Sequence, residues 1–177
     1  MSKFKHADIY QNARFAGQVS RYHTWPVQRD QSTGEHTWQV LRIYCQIFGA
    51  PSPAATMYMV WHDGGELVSG DAPGMLKTEA PEIKPILDRV ERKGALGMGA
   101  PDNYDTIDAR TRTRVKVCDL LDAWEFGLVE VLQGNRFAEP IIAWAAENIT
   151  RQSLHLADAD AVLVGEYLER TREKFQQ

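Results

Sequence analysis

The sequence predicts an all-α fold, a compact helical bundle in a single domain spanning residues 1–177. Several long segments repeat apolar residues at the three- and four-residue spacing of an amphipathic helix. No segment shows the convincing alternation of apolar and polar residues that is typical of a half-buried strand. The chain length is that of one domain with a sizeable hydrophobic core.

The first elements are delimited by turn-forming residues and helix caps. Residues 7–16 predict a short helix, and residues 21–34 predict an ordered loop because they contain a proline and several turn formers. Either residue of the Ser32–Thr33 pair can cap the next helix, which covers 36–48. The segment 53–63 is apolar nearly all round, which indicates a central helix.

The second half alternates between loops and longer helices. The Gly64–Gly65 pair predicts a bend or a tight contact, and residues 70–77 predict a loop. An amphipathic helix is expected over 79–93, followed by a Gly-rich mobile loop over 94–105. A long helix begins near residue 106 or 108 and ends near 134. Two further helices fit residues 137–149 and 157–175.

Composition and charge exclude several protein classes. No apolar run approaches the length of a membrane span, and the N-terminus lacks the apolar stretch of a signal peptide, so a cytoplasmic protein is expected. The net charge of −4 gives no overall basic field for nucleic acid. Residues 110–116, RTRTRVK, form a local basic run that requires either an anionic partner or solvent. Cys45 and Cys118 lie in apolar helical patterns and predict buried free thiols.

One polar group follows directly after the apolar helix over 53–63. His62, Asp63 and Glu66 share a helix face if the helix continues through the two glycines. A buried His–Asp pair needs hydrogen-bonding or charged partners, and a metal ion is one partner that meets this need. The alternative is a helix end at which Asp63 and Glu66 face water.

The long helix carries a second polar group. Arg112, Lys116 and Asp119 lie on one stripe, with Asp122 one turn further along. Asp119 could bind a metal while Lys116 neutralises a phosphate beside it. The alternative is an ordinary intrahelical ion pair. His36, at the start of its helix, is either a ligand or a helix-end histidine.

Taken in order, His36, His62–Asp63 and Asp119 resemble the motif of the HD-domain phosphohydrolase superfamily. The resemblance covers roughly residues 20–125. It is similar to the branch that contains the bacterial 5′-deoxynucleotidases and the small phage-type dATP triphosphohydrolases. The stretches that carry it are RYH (21–23), GEHTWQV (34–40), WHDGGELVSGDAP (61–73), MLK (75–77) and VKVCDLLDA (115–123).

This resemblance implies a helical bundle of the HD-domain type and a role for individual residues. A divalent cation, Mn, Co, Zn, Fe or Mg, is implied as cofactor, since its ligands are mixed N and O donors. The implied ligands are His36, His62, Asp63 and Asp119. The implied catalytic residues are Glu66 and Asp71, and the implied phosphate-binding residues are Arg21, Lys77 and Lys116. Tyr22 is implied to contact the sugar, and Trp25 to contact the base or to pack in the core.

The implied reaction cleaves the bond between the 5′-oxygen and the α-phosphorus of a deoxynucleotide. Arg110, Arg112 and Arg114 favour a triphosphate, with dATP preferred, which would yield deoxynucleoside and triphosphate. The alternatives are a 5′-deoxynucleotidase acting on monophosphates, a non-catalytic nucleotide-binding regulator, and a nucleic-acid adaptor using residues 110–116. The expected partners are a small deoxynucleotide and further copies of the chain in a dimer or hexamer. No membrane and no stable nucleic-acid complex are expected, and the cytoplasm would be that of the host if a phage encodes the chain.

Overall fold

Helices dominate the structure, a computed structural model that describes residues 10–175. Part of the first predicted helix, residues 7–9, lies outside this range. The prediction of an all-α fold is confirmed. The α-helices are α1 (Thr33–Phe48), α2 (Pro53–Trp61), α3 (Glu66–Ser69), α4 (Gly74–Glu79), α5 (Lys84–Gly97), α6 (Ala109–Leu132), α7 (Glu139–Ser153) and α8 (Asp158–Phe175).

Short elements connect the helices. Helices of the 3-10 type cover Ala13–Gln18, Pro81–Ile83 and Arg136–Ala138. The first of these replaces the helix predicted over 7–16. Two short antiparallel strands, β1 (Ser20–Arg21) and β2 (Gln31–Ser32), close the predicted 21–34 loop at its base. Because these strands have two residues each, they leave no alternating pattern to detect.

The core is built around α6, which packs against α1, α7 and α8. Its inward residues are apolar, and several are fully buried. Burying these side chains supplies the main favourable free energy of folding. The fully buried members of this core include Val40, Ile43, Met59, Val117, Leu121 and Val164. No helix within residues 10–175 is both long and apolar enough to cross a bilayer.

Side-chain caps fix where the helices that carry the site begin. The Ser32 hydroxyl accepts a hydrogen bond from the Glu35 backbone N–H, which makes Ser32 rather than Thr33 the cap of α1. The Asp108 carboxylate caps α6 in the same way, through the Thr111 backbone N–H. At the other end of α1, Gly49 has a φ of 78°, a conformation that glycine adopts without strain.

Several predicted boundaries are wrong. The helix predicted over 53–63 ends at Trp61, and a turn through the Gly64–Gly65 pair separates it from α3. Gly65 makes the predicted tight contact, because a Cβ atom there would lie 2.1 Å from the Glu91 carbonyl oxygen. The 70–77 loop contains the start of α4, and the helix predicted over 79–93 is shifted to Lys84–Gly97.

Proline positions explain that shift. Pro81 and Pro85 each fall in the first turn of a helical segment, where the missing backbone N–H is not needed. A single helix from residue 79 would place Pro85 in its interior and lose a hydrogen bond. Cys118 is buried as predicted, whereas Cys45 lies on the exposed side of α1, and both are free thiols. The prediction of a buried Cys45 is therefore wrong.

Two polar clusters hold parts of the chain that flank the site. Asp160, buried in the first turn of α8, accepts hydrogen bonds from Arg110 and Arg114 of α6. Glu130, fully buried on α6, accepts the backbone N–H groups of Gln28 and Arg29 at 2.7 and 3.1 Å. The second cluster fixes the loop that follows β1, which carries Tyr22 and Trp25.

Candidate metal centre and cleft

Three predicted ligands, His36, His62 and Asp63, converge between α1 and the end of α2, and Asp119 of α6 contacts His36. His36 Nε2 lies 3.2 Å from Asp63 Oδ2 and 3.3 Å from Asp119 Oδ1. His62 Nε2 lies 3.4 Å from His36 Nε2 and 3.4 Å from Asp63 Oδ2. The structure thus brings together side chains that are up to 83 positions apart in the sequence, counting from His36 to Asp119.

The other nitrogen of each imidazole is held by an acceptor. His36 Nδ1 donates to Asp122 Oδ2 at 2.6 Å, and the Asp122 carboxylate also accepts from the Gln31 amide. His62 Nδ1 donates to the Met59 carbonyl oxygen at 2.7 Å. Such bonds fix the ring orientation and direct the Nε2 atom of each ring toward the centre, which is the arrangement found around metal-binding histidines.

The spacing of the donor atoms fits a metal ion. Two ligands that each lie about 2.0–2.1 Å from one ion in a tetrahedral arrangement are about 3.3 Å apart. The ligand atoms of His36, His62 and Asp63 lie 3.2–3.4 Å from one another. Asp119 joins this group through its contact with His36. Two imidazoles and two carboxylates suit Zn, Mn, Co or Fe, and less well Mg.

The protonation of the cluster shows how much negative charge surrounds His36. Burial and the Arg21 cation act to lower the pKa of His36, but hydrogen bonds with Asp119, Asp122 and Asp63 outweigh them and raise it to about 10. Burial would raise the pKa of Asp63, yet its interactions with His62, His36 and the Arg21 cation hold it well below its usual range. The cluster therefore attracts positive charge, which a proton or a metal ion can supply.

Beside this centre lies a cleft of about 520 Å³, the size of a small-molecule site. Asp63 and Asp119 belong to its wall, whereas His36 and His62 are not among the residues that line it. Its lining also includes every predicted catalytic, phosphate-binding, sugar and base residue, namely Glu66, Asp71, Arg21, Lys77, Lys116, Tyr22 and Trp25.

Three cations face this cleft. The Arg21 guanidinium lies 3.8 Å from Asp63 and 3.9 Å from Asp119, and its Nη1 is buried without a hydrogen-bond partner among residues 10–175. Lys116 Nζ lies 2.5 Å from Asp119 Oδ2, and this carboxylate raises the pKa of Lys116. Lys77 lines the cleft from α4. Together they provide fixed positive charge next to the candidate ligands.

Glu66 reaches the cleft by a different route from the one predicted. The helix does not continue through the glycines, so Glu66 does not share a helix face with His62; it lies in the first turn of α3 instead. Only 5% of Glu66 is exposed, and its Oε2 has no hydrogen-bond partner in the described chain. Burial and the carboxylates of Asp63 and Asp71 raise the pKa of Glu66 to about 9.

Tyr22 and Trp25 occupy the loop that Glu130 holds. Tyr22 has a φ of 56°, a strained backbone conformation for a residue with a Cβ atom. Its ring stacks on Phe126 with the ring centroids 4.4 Å apart, and its hydroxyl is buried without a partner among the described residues. Trp25 packs against the cluster of Phe126, Ala138 and Ile141 while one side of it faces the cleft.

The three arginines of the basic run, which we call the arginine run, do not line this cleft. Arg110 and Arg114 are both bound to Asp160, and Arg112 donates to the Asp105 carbonyl oxygen and lies over the Tyr58 ring. None of these three side chains is among the residues that line the cleft. Their use as an argument for a triphosphate is therefore wrong, because their partners lie within the chain.

One wall of the cleft was not anticipated from the sequence. It comes from α7 and consists of Pro140, Ile141, Trp144 and Asn148. These residues follow the spacing of any amphipathic helix, so they carry no signal that separates them from core positions. Only the packing of α7 against α6 reveals that this face borders the cleft.

Comparisons with known proteins agree with the fold. No known protein family and no curated protein matches the sequence. The structure is similar to that of the HD phosphohydrolase DatZ of cyanophage S-2L, with a TM-score of 0.75 and 22% sequence identity. The similarity covers 98% of this chain and 99% of that protein, which was solved with dA and one catalytic Zn²⁺ ion. The chain therefore has the fold of an HD phosphohydrolase, as the sequence predicted.

Proposed function

We propose that this chain, which has the HD phosphohydrolase fold, is a metal-dependent deoxynucleotide phosphohydrolase. The convergence of His36, His62, Asp63 and Asp119 beside a cleft lined by cations carries this proposal. A nucleotide offers phosphate oxygens to such cations and to a metal ion at once. The binding of dA and Zn²⁺ by the similar cyanophage protein supports the same assignment.

The four ligands would hold one divalent cation through two nitrogens and two carboxylate oxygens. When bound, such a cation polarises a phosphoryl oxygen and lowers the pKa of a coordinated water. Asp122 and the Met59 carbonyl keep both imidazoles in the tautomer that this role needs.

Protein cations would orient and neutralise the phosphate. Arg21, Lys77 and Lys116 approach it from β1, α4 and α6, three separate parts of the fold. Because their positions are fixed before the substrate enters, they stabilise the charge that develops during phosphoryl transfer without reorganising. Arg21 also contacts Asp63 and Asp119, so the phosphate would lie directly beside the ligands.

Two carboxyl groups would move the protons. Burial and the carboxylates of Asp63 and Asp71 raise the pKa of Glu66 to about 9 in the metal-free chain, and its protonated form would donate a proton to the leaving 5′-oxygen. Asp71, in the segment that connects α3 and α4, would accept a proton from the attacking water or orient it. The bond cleaved is that between the 5′-oxygen and the α-phosphorus.

The substrate proposed first is a deoxynucleoside triphosphate, with dATP favoured, which yields deoxynucleoside and triphosphate. Three cleft cations and a volume of about 520 Å³ accommodate a polyphosphate chain, and the dA found in the cyanophage protein favours adenine. Tyr22 would contact the sugar and disfavour a 2′-hydroxyl. The internal pairing of Arg110 and Arg114 favours the second candidate, a 5′-deoxynucleotidase acting on monophosphates.

A product analysis tests the proposal. The purified protein is incubated with each dNTP and each dNMP, with Mn²⁺ or Co²⁺ or with a chelator. We expect metal-dependent release of deoxynucleoside, together with triphosphate from dNTPs or phosphate from dNMPs. Release of pyrophosphate, or no release of deoxynucleoside from any substrate, would contradict the proposed reaction.

A further inference from the structure

The cleft has two chemically different walls. Arg21, Lys77 and Lys116 make one side cationic. The α7 side is uncharged, because the α7 residues that line it are a proline, an isoleucine, a tryptophan and an asparagine. The charged residues Glu147 and Arg151 of α7 pair with each other at the surface instead. This uncharged wall cannot neutralise phosphate, so it suits the other half of a nucleotide.

Trp144 is an exposed aromatic side chain within this wall. It is 41% exposed although it borders a cleft, and its ring lies beside the backbone of Gly74, where a Cβ atom would be 3.4 Å from the ring. Gly74 begins α4, the helix that carries Lys77. The indole is therefore supported at its edge by α4 and leaves much of its surface open to a ligand.

Asn148 lies one helical turn beyond Trp144. Its Nδ2 donates to the Trp144 carbonyl oxygen at 2.8 Å, which fixes the orientation of the amide. The amide oxygen accepts no hydrogen bond from residues 10–175, and Asn148 lines the cleft and is only partly exposed. An oriented amide beside an open indole can combine stacking with recognition of a donor on the edge of a planar ligand.

The α7 wall is continuous with the loop proposed to contact the sugar. Ile141 belongs to the cluster against which Tyr22 and Trp25 pack. Trp144 and Asn148 follow at about 4.5 and 10.5 Å along the helix axis, from a rise of about 1.5 Å per residue. A ligand that contacts Tyr22 with its sugar can therefore extend along α7 toward Asn148.

We propose that Trp144 and Asn148 form the nucleobase subsite, in which the base stacks on Trp144 and its edge donates to the Asn148 amide. This inference rests on the proposed deoxynucleotide substrate. It moves the base contact from Trp25, predicted from the sequence, to a helix that the family resemblance does not cover. Trp25 packs against Phe126, Ala138 and Ile141, and this packing holds the wall of the cleft in place.

Binding of nucleosides tests the subsite without turnover, since deoxynucleosides carry no phosphate to cleave. The four deoxynucleosides and, separately, inorganic tripolyphosphate are titrated into the Mn²⁺-loaded protein by calorimetry. Trp144→Leu is expected to raise the Kd of every deoxynucleoside about 10-fold or more, because stacking on an aromatic ring tolerates any base. Trp144→Phe should restore most of this affinity, and Asn148→Ala should narrow the spread of Kd among the four bases.

Controls separate a subsite from a general disturbance. Trp38→Phe alters a tryptophan that is 62% exposed on α1 outside the cleft, and it should leave all Kd values unchanged. Tripolyphosphate should bind every variant as it binds the wild type. An unchanged deoxynucleoside Kd in Trp144→Leu would overturn the inference, and so would an equal loss of tripolyphosphate binding.

The failure of this inference is distinguishable from failure of the proposed function. If the wild type releases deoxynucleoside from nucleotides and the KM of Trp144→Leu equals that of the wild type, the proposed subsite is wrong and the proposed reaction stands. If deoxynucleosides bind in a Trp144-dependent manner but no nucleotide is hydrolysed, the subsite stands and the reaction is wrong.

Discussion

The Nε2 atoms of His36 and His62 lie 3.4 Å apart, facing each other. Each ring already donates its Nδ1 proton, one to Asp122 and one to the Met59 carbonyl, so two neutral rings would present two lone pairs to one point. A cation at that point would bind both lone pairs and so remove the repulsion between them. In its absence a proton on His36 does so, which agrees with the raised pKa of this residue.

Metal binding should therefore release protons. In the metal-free protein the pKa of His36 is about 10, so the ring carries a proton at pH 7.5 that a metal ion must displace. Metal affinity should rise with pH from 7 toward 10 and then level off. Calorimetry in two buffers of different ionisation enthalpy should give about one proton released per ion. Asp122→Asn removes a carboxylate that raises the pKa of His36, so this variant should release fewer protons per ion. If the wild type releases no net protons on binding the metal, the assignment of His36 as a ligand is contradicted.

Asp63→Ala and Asp119→Ala should each abolish metal binding and deoxynucleotide hydrolysis. Each change removes one of the carboxylates that face His36 Nε2 and leaves an incomplete ligand set. Metal content after gel filtration, measured by elemental analysis, checks the prediction. Asp105→Ala serves as a control, because Asp105 pairs with Arg92 at the surface outside the cleft. Normal turnover in either ligand variant would show that the centre is elsewhere.

Glu66→Gln should lower kcat by about 100-fold while metal binding persists, because an amide cannot donate the proton that a carboxylic acid donates. The same change should stabilise the metal-free protein at pH 8. The pKa of Glu66 is about 9 in the folded chain and ordinarily 4.5, so the wild type loses stability as the pH rises from 4.5 toward 9. Thermal denaturation should show a higher Tm for the variant at pH 8 and little difference at pH 4. A lower Tm at pH 8 would contradict the burial of an unpartnered carboxyl.

Lys116→Ala should reduce kcat/KM for deoxynucleotides by about 10- to 100-fold, because it removes a charge-assisted contact with phosphate. Steady-state kinetics with a dNTP and the matching dNMP measures the loss, which should be larger for the triphosphate. Lys84→Ala is the charge-matched control, since Lys84 pairs with Asp88 on the surface of α5. Wild-type kinetics in Lys116→Ala would exclude this lysine from phosphate binding.

Asp160→Ala should reduce stability without changing substrate binding. Removing the buried carboxylate leaves Arg110 and Arg114 without their common partner, which should lower the free energy of unfolding by about 2–4 kcal/mol. Urea denaturation gives the loss, and KM should stay within twofold of the wild type. Arg151→Ala breaks an exposed pair with Glu147 and should cost less than about 1 kcal/mol. A raised KM in Asp160→Ala would instead connect the arginine run with the substrate.

The parts of the fold set by local chemistry could be predicted from the sequence. Ser32 was one of two expected caps, and the tight contact at Gly65 was expected from the glycine pair. The metal ligands were predicted from their joint order, because each one alone has an ordinary explanation. Their convergence could not be derived from spacing, since α1, α2 and α6 are separated by loops whose path depends on the whole fold.

The errors arose where a partner is distant in the sequence. The three arginines were expected to be available to a ligand, because their partner Asp160 lies 46 or more residues away in the sequence. Glu66 was expected on the same helix face as His62, because the sequence does not show that the chain turns at Gly65, where it packs closely against Glu91 of α5. The α7 wall has no local signal at all. Cys45 was expected inside because its neighbours are apolar, but the packing of α1 turns it outward.

Hydrolysis of dATP in H₂¹⁸O with Mn²⁺ tests the central claim most directly, with mass spectrometry of both products. We expect metal-dependent formation of deoxyadenosine without label and of triphosphate carrying one ¹⁸O, since water attacks the α-phosphorus and the 5′-oxygen leaves; dAMP should likewise give labelled phosphate. Labelled deoxyadenosine, pyrophosphate as the released anion, or equal turnover in Asp119→Ala would contradict the assignment of His36, His62, Asp63 and Asp119 as the centre that splits this bond.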